Sequence, residues 1–498
     1  MSDAQAPASG LLYESLPYPE TQPSALAALA RLFGRRPVPV ARARILELGC
    51  AGGGNLVPLA SRYPQSECLG IDLLPAHVAQ AQAAADALRL ANLRVVAGDL
   101  AGPQPLSGEY DYVICHGVYS WCGPAAQAGI WRLLARHLAP QGVVYLSANV
   151  WPGWHLRGAL RDGMRLGDDP ALPPRERAAR ARAWLARMVP LSDPATPWGV
   201  LLRQSHEQLA TQSDSYLLGE YLAPFNQPSH FAELARAARE TGLVHLCDAR
   251  PSASHPGDSR PELHAAAQAE AGADPVAYQQ ALDWLQGRPF RQTLWVRADG
   301  PLPPGPQATG LAGLHAAAAL QREGDDASGA ARFRDAQGQR LSTNDPLVVA
   351  ALDRLGAQHP GTVPVDDLLA GAEAELPGGA ARLAQALLQM VVAGPVQLLA
   401  DPVQAGHADA VRPQAWALAR WQAAQGQTWV TSLRHGPVRV DATGRALLQM
   451  ANGQLDRAAL AALLARAWPG AAAPAPSQMD VVLQQALQRM AAQALLVP

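Results

Sequence analysis

The 498-residue chain is close to electroneutral, with 40 basic side chains against 42 acidic ones, so no basic footprint marks it for a nucleic acid. Every basic side chain is an arginine, because the sequence contains no lysine. That excludes a Walker-type phosphate loop, lysine Schiff-base chemistry and a kinase-type lysine. The length suits two to four domains with full cores. The first ten residues, MSDAQAPASG, lack the charged and apolar regions of a signal peptide, and no apolar run approaches the roughly 20 residues of a membrane helix. The five cysteines (Cys50, Cys68, Cys115, Cys122, Cys247) are scattered, without CxxC or zinc spacing. A reducing, cytoplasmic protein without a metal centre is expected.

Residues 24–34, SALAALARLFG, read as a helix stopped by Gly34 and Pro37. From Arg44 to about Val150 two periodicities alternate. RILEL, ECLGIDL, LRVVAGDL, YDYVICHG and GVVYLSANV read as strands, and NLVPLASRY, PAHVAQAQAAADALRL and GIWRLLARHL as helices. Alternation of this kind predicts a parallel sheet covered on both faces, with ligands bound beyond the carboxyl ends of the strands. Residues 156–215 are rich in arginine and alanine and read as a helical insertion. The alternation resumes with the helix PSHFAELARAARETG and the strands LVHLCDA and FRQTLWVRA (290–298), which brings the sheet to seven strands. PLPPGPQATGLAG (301–313) is a linker. Beyond it, VVAALDRLG and VDDLLAGAEAE read as helices and VQLLA as a strand. VRVDATGRALLQMANGQLDRAALAALLARA gives the strand, turn, helix, turn, helix order of a winged helix. The expected class is α/β: a seven-stranded doubly wound, Rossmann-like sheet with a helical insertion, followed by a C-terminal α+β winged-helix-like region.

The stretch ARILELGCAGGGNLVPLA (43–60) carries the chemistry. Its glycines let the backbone approach a ligand, and the following helix offers free N–H groups. Carboxylates select the ligand. Glu47 lies inside the first strand, Asp72 ends the second, placed for ribose hydroxyls, and Asp99 ends the third, placed for an adenine amino group. One carboxylate at each of three successive strand ends suits S-adenosylmethionine, which has no phosphates and carries a sulfonium. Helix capping and turn formation are the competing role for Asp72 and Asp99. The cofactor set is Glu47, Gly49, Cys50, Ala51, Gly53, Asn55, Asp72, Leu73, Asp99, Leu100 and His116.

Residues 43–150 resemble a class I S-adenosylmethionine-dependent methyltransferase. HGVYSWC (116–122), SANVWPGWH (147–155) and YLLGEYLAPFNQPSHFAELARAARETGLVHLCDA (216–249) are similar to bacterial methyltransferases with a methyltransferase regulatory domain. That group includes protein-lysine methyltransferases acting on outer-membrane proteins. The similarity extends to YESLPYPETQPSALAALARLFG, FRQTLWVR and, more loosely, VTSLRHGPVRVDATGRALLQMANG. Ala51 stands where the general pattern has glycine, and Cys122 and SANVW depart on the substrate side. The resemblance implies an S-adenosylmethionine cofactor and a protein partner, an outer-membrane or surface protein met before export, with no nucleic acid and no membrane insertion.

An acceptor lysine must be held neutral against a reference pKa of about 10.4, and an aromatic, desolvated pocket does this. Aromatic faces also attract the sulfonium. His116, Tyr119 and Trp121 after the fourth strand, and Tyr18 from a lid formed by YESLPYP, are the candidate catalytic residues; Tyr13, Trp151 and Trp154 flank them. His116 either accepts a proton or orients the acceptor, while Tyr119 and Trp121 either line the pocket or pack beneath it. Glu220, Tyr221 and Asn226 either line the acceptor channel or pin the insertion, and His230 caps a helix. The expected division is 1–40 lid and helix, 41–155 cofactor-binding core, 156–230 helical insertion with the regulatory or substrate region, 231–300 remainder of the sheet, 301–313 linker and 314–498 C-terminal region. A small-molecule N- or O-methyltransferase and an S-adenosylmethionine-sensing interaction module fit the same residues.

Overall fold

The computed structural model describes residues 12–468 and 474–498, so the first eleven residues of the expected lid segment lie outside the described residues. Seven strands form one sheet: β1 (Arg44–Leu48), β2 (Glu67–Asp72), β3 (Leu93–Ala97), β4 (Tyr110–Cys115), β5 (Leu138–Asn149), β6 (Leu243–Asp248) and β7 (Phe290–Arg297). Their order is β3-β2-β1-β4-β5-β7-β6. The first five strands are parallel, whereas β7 runs antiparallel to both its neighbours. The seven-strand expectation holds. β5 begins earlier than its apolar run, at Leu138, which pairs with Tyr110 across a bulge.

Helices α1 (Pro23–Leu32), α2 (Leu56–Arg62) and α3 (Pro75–Leu88) cover one face of the sheet, and α4 (Pro124–His137) and α9 (Phe231–Glu240) cover the other. Side chains alternate between the two cores, as strand geometry requires. Ile45, Tyr112 and Tyr145 face the first core; Leu46, Val113, Val144 and Trp295 face the second. Between β5 and α9 come α5 (Trp154–Arg165), α6 (Pro174–Leu191), α7 (Pro197–Ala210) and α8 (Asp214–Glu220), built on their own core of Leu160, Met164, Leu185, Leu202 and Leu217. Three helices that the sequence reading omitted join β6 to β7: α10 (Pro251–Ser254), α11 (Pro261–Ala271) and α12 (Pro275–Gln286). Proline opens α1, α3, α4, α6, α7, α11 and α12, where its missing N–H has no intrahelical acceptor to lose and its fixed φ already suits a helix.

The C-terminal region holds two helical units. The first contains β8 (His315–Ala317), a three-stranded sheet of β9 (Gln321–Asp325), β10 (Ala331–Arg334) and β11 (Arg340–Thr343), then α13 (Pro346–Gln358), β12 (Val363–Pro364), α14 (Val365–Glu375), α15 (Gly379–Ala393) and β13 (Gln397–Leu399). The second contains β14 (Gln414–Ala415), α16 (Ala417–Ala424), the hairpin β15 (Trp429–Thr431) and β16 (Pro437–Arg439), α17 (Ala442–Met450), α18 (Arg457–Arg466), α19 (Pro476–Ala492) and β17 (Leu496–Val497). This region docks on α1 and α2. Ala400 N donates to Ser24 O and Asp401 N to Ser24 Oγ, each at 2.9 Å, and Arg62 Nη1 donates to Leu433 O at 2.6 Å.

The edge formed by β7 and β6 is held by buried charge. Arg291 on β7 is fully buried and donates to Asp283 of α12 at 2.9 Å and to Asp248 of β6 at 3.0 Å; Arg288 adds a bond to Asp248 at 3.2 Å. Removing one partner of such a cluster leaves buried charge uncompensated. Arg291→Met is expected to cost about 3–5 kcal/mol of stability, read from the midpoint of urea unfolding against the parent protein.

Candidate functional site

The site forms where the strand order reverses, between β1 and β4, the place where open parallel sheets bind ligands. The chain leaves β1 through Gly49, whose φ is +72°, and a Cβ there would overlap Val118 Cγ2. Gly49 N and Cys50 N both donate to Ile71 O, at 2.7 and 3.1 Å. The Cys50 side chain is buried, so only its backbone faces the loop. Ala51 occupies the left-handed region at φ +45°, a conformation that disfavours a Cβ by roughly 1–2 kcal/mol. Gly53, also at positive φ, completes the turn before α2.

Asp72 is buried and organises two elements at once. Its Oδ2 accepts from Ala51 N at 2.8 Å, and its Oδ1 accepts from Leu74 N at 2.9 Å and pairs with His77 Nδ1 at 3.0 Å. It therefore joins the glycine turn to the start of α3. Asp99 accepts from Ala101 N at 2.9 Å and is half-buried. Both aspartates have the capping role weighed against ligand binding, and their remaining lone pairs are open to a second donor. Leu73 is exposed beside Asp72, whereas Leu100 packs into the core beneath α4.

Glu47 is buried, with Oε1 accepting from Asn55 Nδ2 at 3.0 Å and Oε2 left without a partner. Burial pushes its carboxyl up to about 8, with the Asn55 bond opposing and Asp72 adding to the shift. An orphaned buried carboxylate oxygen is costly. A cationic ligand relieves it, so the residues present fit S-adenosylmethionine: backbone-lined glycine turn, three carboxylates and no lysine for phosphates. Asn55 itself lies one layer back. Its Nδ2 donates one N–H to Glu47, and its Oδ1 accepts from Tyr18 N at 3.3 Å, from Thr21 Oγ1 at 2.8 Å, whose single proton is shared with Tyr18 O at 2.8 Å, and pairs with His435 Nε2 at 2.6 Å. These contacts set Asn55 behind Glu47, where it supports that carboxyl.

The aromatic residues divide. The Tyr18 ring lies 3.9 Å from the His116 ring, so the YESLPYP segment does fold across the end of β4. Ser15 of that segment accepts from Gly54 N at 2.8 Å, and a Cβ on Gly54 would overlap the Ser15 carbonyl. His116 Nδ1 pairs with the Tyr145 hydroxyl at 2.9 Å, which also accepts from Gln292 Nε2 at 2.9 Å. Burial holds the His116 imidazole down to about 4, so it is neutral at pH 7. Trp121 meets Trp154 edge to face at 6.0 Å at the base of α5. Tyr119 is a correction: its side chain is buried, and its hydroxyl accepts from Trp131 Nε1 at 3.1 Å within the second core. It packs beneath the loop and does not line the pocket. Glu220 ends α8, where burial raises its carboxyl to about 7 against the pull of Arg157 and Arg161, and its charge is felt at Tyr13 and Tyr18. Tyr221 is buried, and its carbonyl accepts from Arg161 Nη1 at 3.0 Å, which pins the insertion. His230 opens α9, its backbone N bonded to Glu233 at 2.8 Å. Ser15, Tyr145, Gln292 and His435 each lie inside a stretch that the sequence pattern marks, in YESLPYP, GVVYLSANV, FRQTLWVR and VTSLRHGPVRV, but nothing in those stretches alone singles them out.

Three family models match the chain: a methyltransferase domain over residues 45–142, a predicted methyltransferase regulatory domain over 213–297 and the PKMT C-terminal winged helix domain over 412–495. The regulatory-domain match spans α9, β6 and β7 and takes in only the last helix of the insertion, α8. The uncharacterized protein RP789 of Rickettsia prowazekii is 34% identical over 288 residues, 58% of this chain and 52% of its own length. RP028 of the same organism is 30% identical over 234 residues, 46% of this chain and 94% of its own length. This chain thus spans about half of the first relative and nearly all of the second. The structure of PKMT2 from Rickettsia typhi in complex with AdoHcy superposes with a TM-score of 0.84 at 22% identity, covering 98% of this chain and 100% of that one.

Glu47 makes the ligand-free protein pH-sensitive. Its folded pKa lies above the carboxylate reference of 4.5, so the fold keeps this contribution below pH 4.5 and loses it as pH rises through about 8. Glu47→Gln is expected to melt above the parent at pH 8.5 and no higher than the parent at pH 4.5, while binding S-adenosylmethionine at least tenfold more weakly at pH 8.5. Thermal melts across pH and a calorimetric titration check both.

Proposed function

The chain belongs to the class I S-adenosylmethionine-dependent methyltransferases that carry a methyltransferase regulatory domain, and on that premise we propose that it methylates the ε-amino group of lysines in a protein substrate. The observation that carries the lysine reading is the acceptor side of the site: a neutral imidazole under a tyrosine ring, with the half-buried Glu220 carboxyl, raised to about 7 by desolvation, close enough for its charge to act on Tyr18. The match of the last domain to the PKMT winged helix supports it as well. No helix among the described residues is long and apolar enough to cross a membrane. All five cysteines are unpaired, which supports a reducing, cytoplasmic setting.

Bound S-adenosylmethionine supplies a methyl group activated on a sulfonium. The glycine turn and Glu47, Asp72 and Asp99 hold that cofactor. Tyr18 and His116 wall the acceptor side and exclude water, which lowers the ammonium pKa of an entering lysine. His116 stays neutral and, among the described residues, its Nε2 makes no hydrogen bond, so it can orient the acceptor nitrogen for in-line attack. Glu220 takes the proton the ammonium gives up.

Purified protein incubated with isotope-labelled S-adenosylmethionine and bacterial extract is expected to label a protein band, stable to base and mapping to lysine. Label confined to small molecules would instead favour the small-molecule reading. His116→Asn is expected to lower kcat by a factor of about 10² through loss of acceptor alignment, measured by initial rates at saturating cofactor.

A further inference from the structure

The Asn55 carboxamide is where three distant parts of the chain meet. Thr21 and Tyr18 come from the lid, Glu47 from β1, and His435 from the turn between β15 and β16 of the C-terminal region. The His435 turn is shaped for this contact. His435 is buried and holds φ at +59°, with His435 N donating to Ser432 O and Ser432 N to Gly436 O, each at 2.9 Å. Arg62 of α2 grips the same turn through Leu433 O, and Gly436 lies against Pro19 of the lid.

A carboxamide has two faces, and only one suits the ionised Glu47 that a cationic cofactor requires. With Nδ2 toward Glu47, Asn55 donates to that carboxylate; turned over, it would set a carbonyl oxygen there, which suits the protonated carboxyl alone. The donors converging on Oδ1 decide between the two, and His435 makes the shortest of those contacts. Burial keeps the His435 imidazole neutral at pH 7, so the contact is a hydrogen bond without charge.

We propose that His435 is a positioning residue for the cofactor: by fixing the Asn55 carboxamide from the C-terminal region, it holds the Glu47 carboxyl in the orientation that receives S-adenosylmethionine. The proposal rests on the methyltransferase reading above. It makes the winged-helix region part of the cofactor site and couples its docking to cofactor affinity.

The test compares two substitutions of similar size in the full chain. His435→Gln keeps an N–H at the position of Nε2, whereas His435→Leu fills the space without a donor. Calorimetry with S-adenosylhomocysteine is expected to show binding about tenfold weaker for His435→Leu and within threefold of the parent for His435→Gln. Equal affinity of the leucine variant and the parent overturns the proposal. So does equal loss in both variants, because the donor then has no role. A parent protein that binds neither S-adenosylmethionine nor S-adenosylhomocysteine defeats the methyltransferase reading itself. If neither variant folds, hydrogen exchange of the parent decides. Slower exchange of the 432–436 amides on adding S-adenosylhomocysteine supports the coupling, and unchanged exchange overturns it.

Discussion

Strand β1 has β2 on one side and β4 on the other, so the connections leaving β1 and β4 must diverge and open a crevice between them. The other features of the site are arranged around this constraint. The glycine turn carries the backbone around the head of β1 without filling the crevice. Asp72 and Asp99 sit at the next two strand ends on one side, and His116 at the strand end on the other. The strand-end carboxylates lie to one side and the Tyr18 and His116 rings to the other, with Glu220 the carboxyl whose charge reaches the aromatic side. The half with the strand-end carboxylates suits a cationic cofactor with hydroxyls and an amino group.

Much of this was legible because the signals are local. A buried strand, a turn that only glycine fits and a carboxylate at each strand end are properties of five to ten consecutive residues. What escaped is non-local or competitive. Tyr119 and Tyr18 are both tyrosines near the same strand end, and only the Trp131 indole decides that one turns inward. Asn55 has a cofactor-like place in sequence, yet its polar atoms are claimed by Glu47 and by a histidine 380 positions away. The β9–β11 sheet escaped because its strands have only five, four and four residues: β9 and β11 are largely polar and exposed, and the alternation in β10, which buries Ala331 and Phe333, is too short to stand out.

The absence of lysine has a structural counterpart in how segments are joined. Arginine presents several donors in a fixed fork and stays charged, and here single guanidiniums bridge two backbone carbonyls. Arg62 reaches Leu433 O and Pro402 O, and Arg44 reaches Glu109 O and Ser107 O. Arg161 ties α5 to the carbonyl of Tyr221. These clamps satisfy carbonyls at loop ends that no ladder or helix would serve; Arg62 holds the C-terminal region to α2, and Arg161 ties the first helix of the insertion to the end of its last.

The place of β7 also dictates how the molecule can come into being. β7 lies between β5 and β6, so the sixth strand has no neighbour until the seventh arrives. The Thr293 hydroxyl that bonds to Leu146 O belongs to a residue 147 positions later. During synthesis the chain emerges from its N-terminus, and the edge of β5 stays unpaired while the insertion and the β6 segment are made. Such a gap lengthens the loop that must close before the sheet is whole. The insertion, with its own small core, can condense in the meantime. The final event in building the sheet is then the arrival of an antiparallel strand that pairs with β5 and β6 at once, and a ribosome halted between Asp248 and Phe290 leaves the edge of β5 open where the finished sheet has β7.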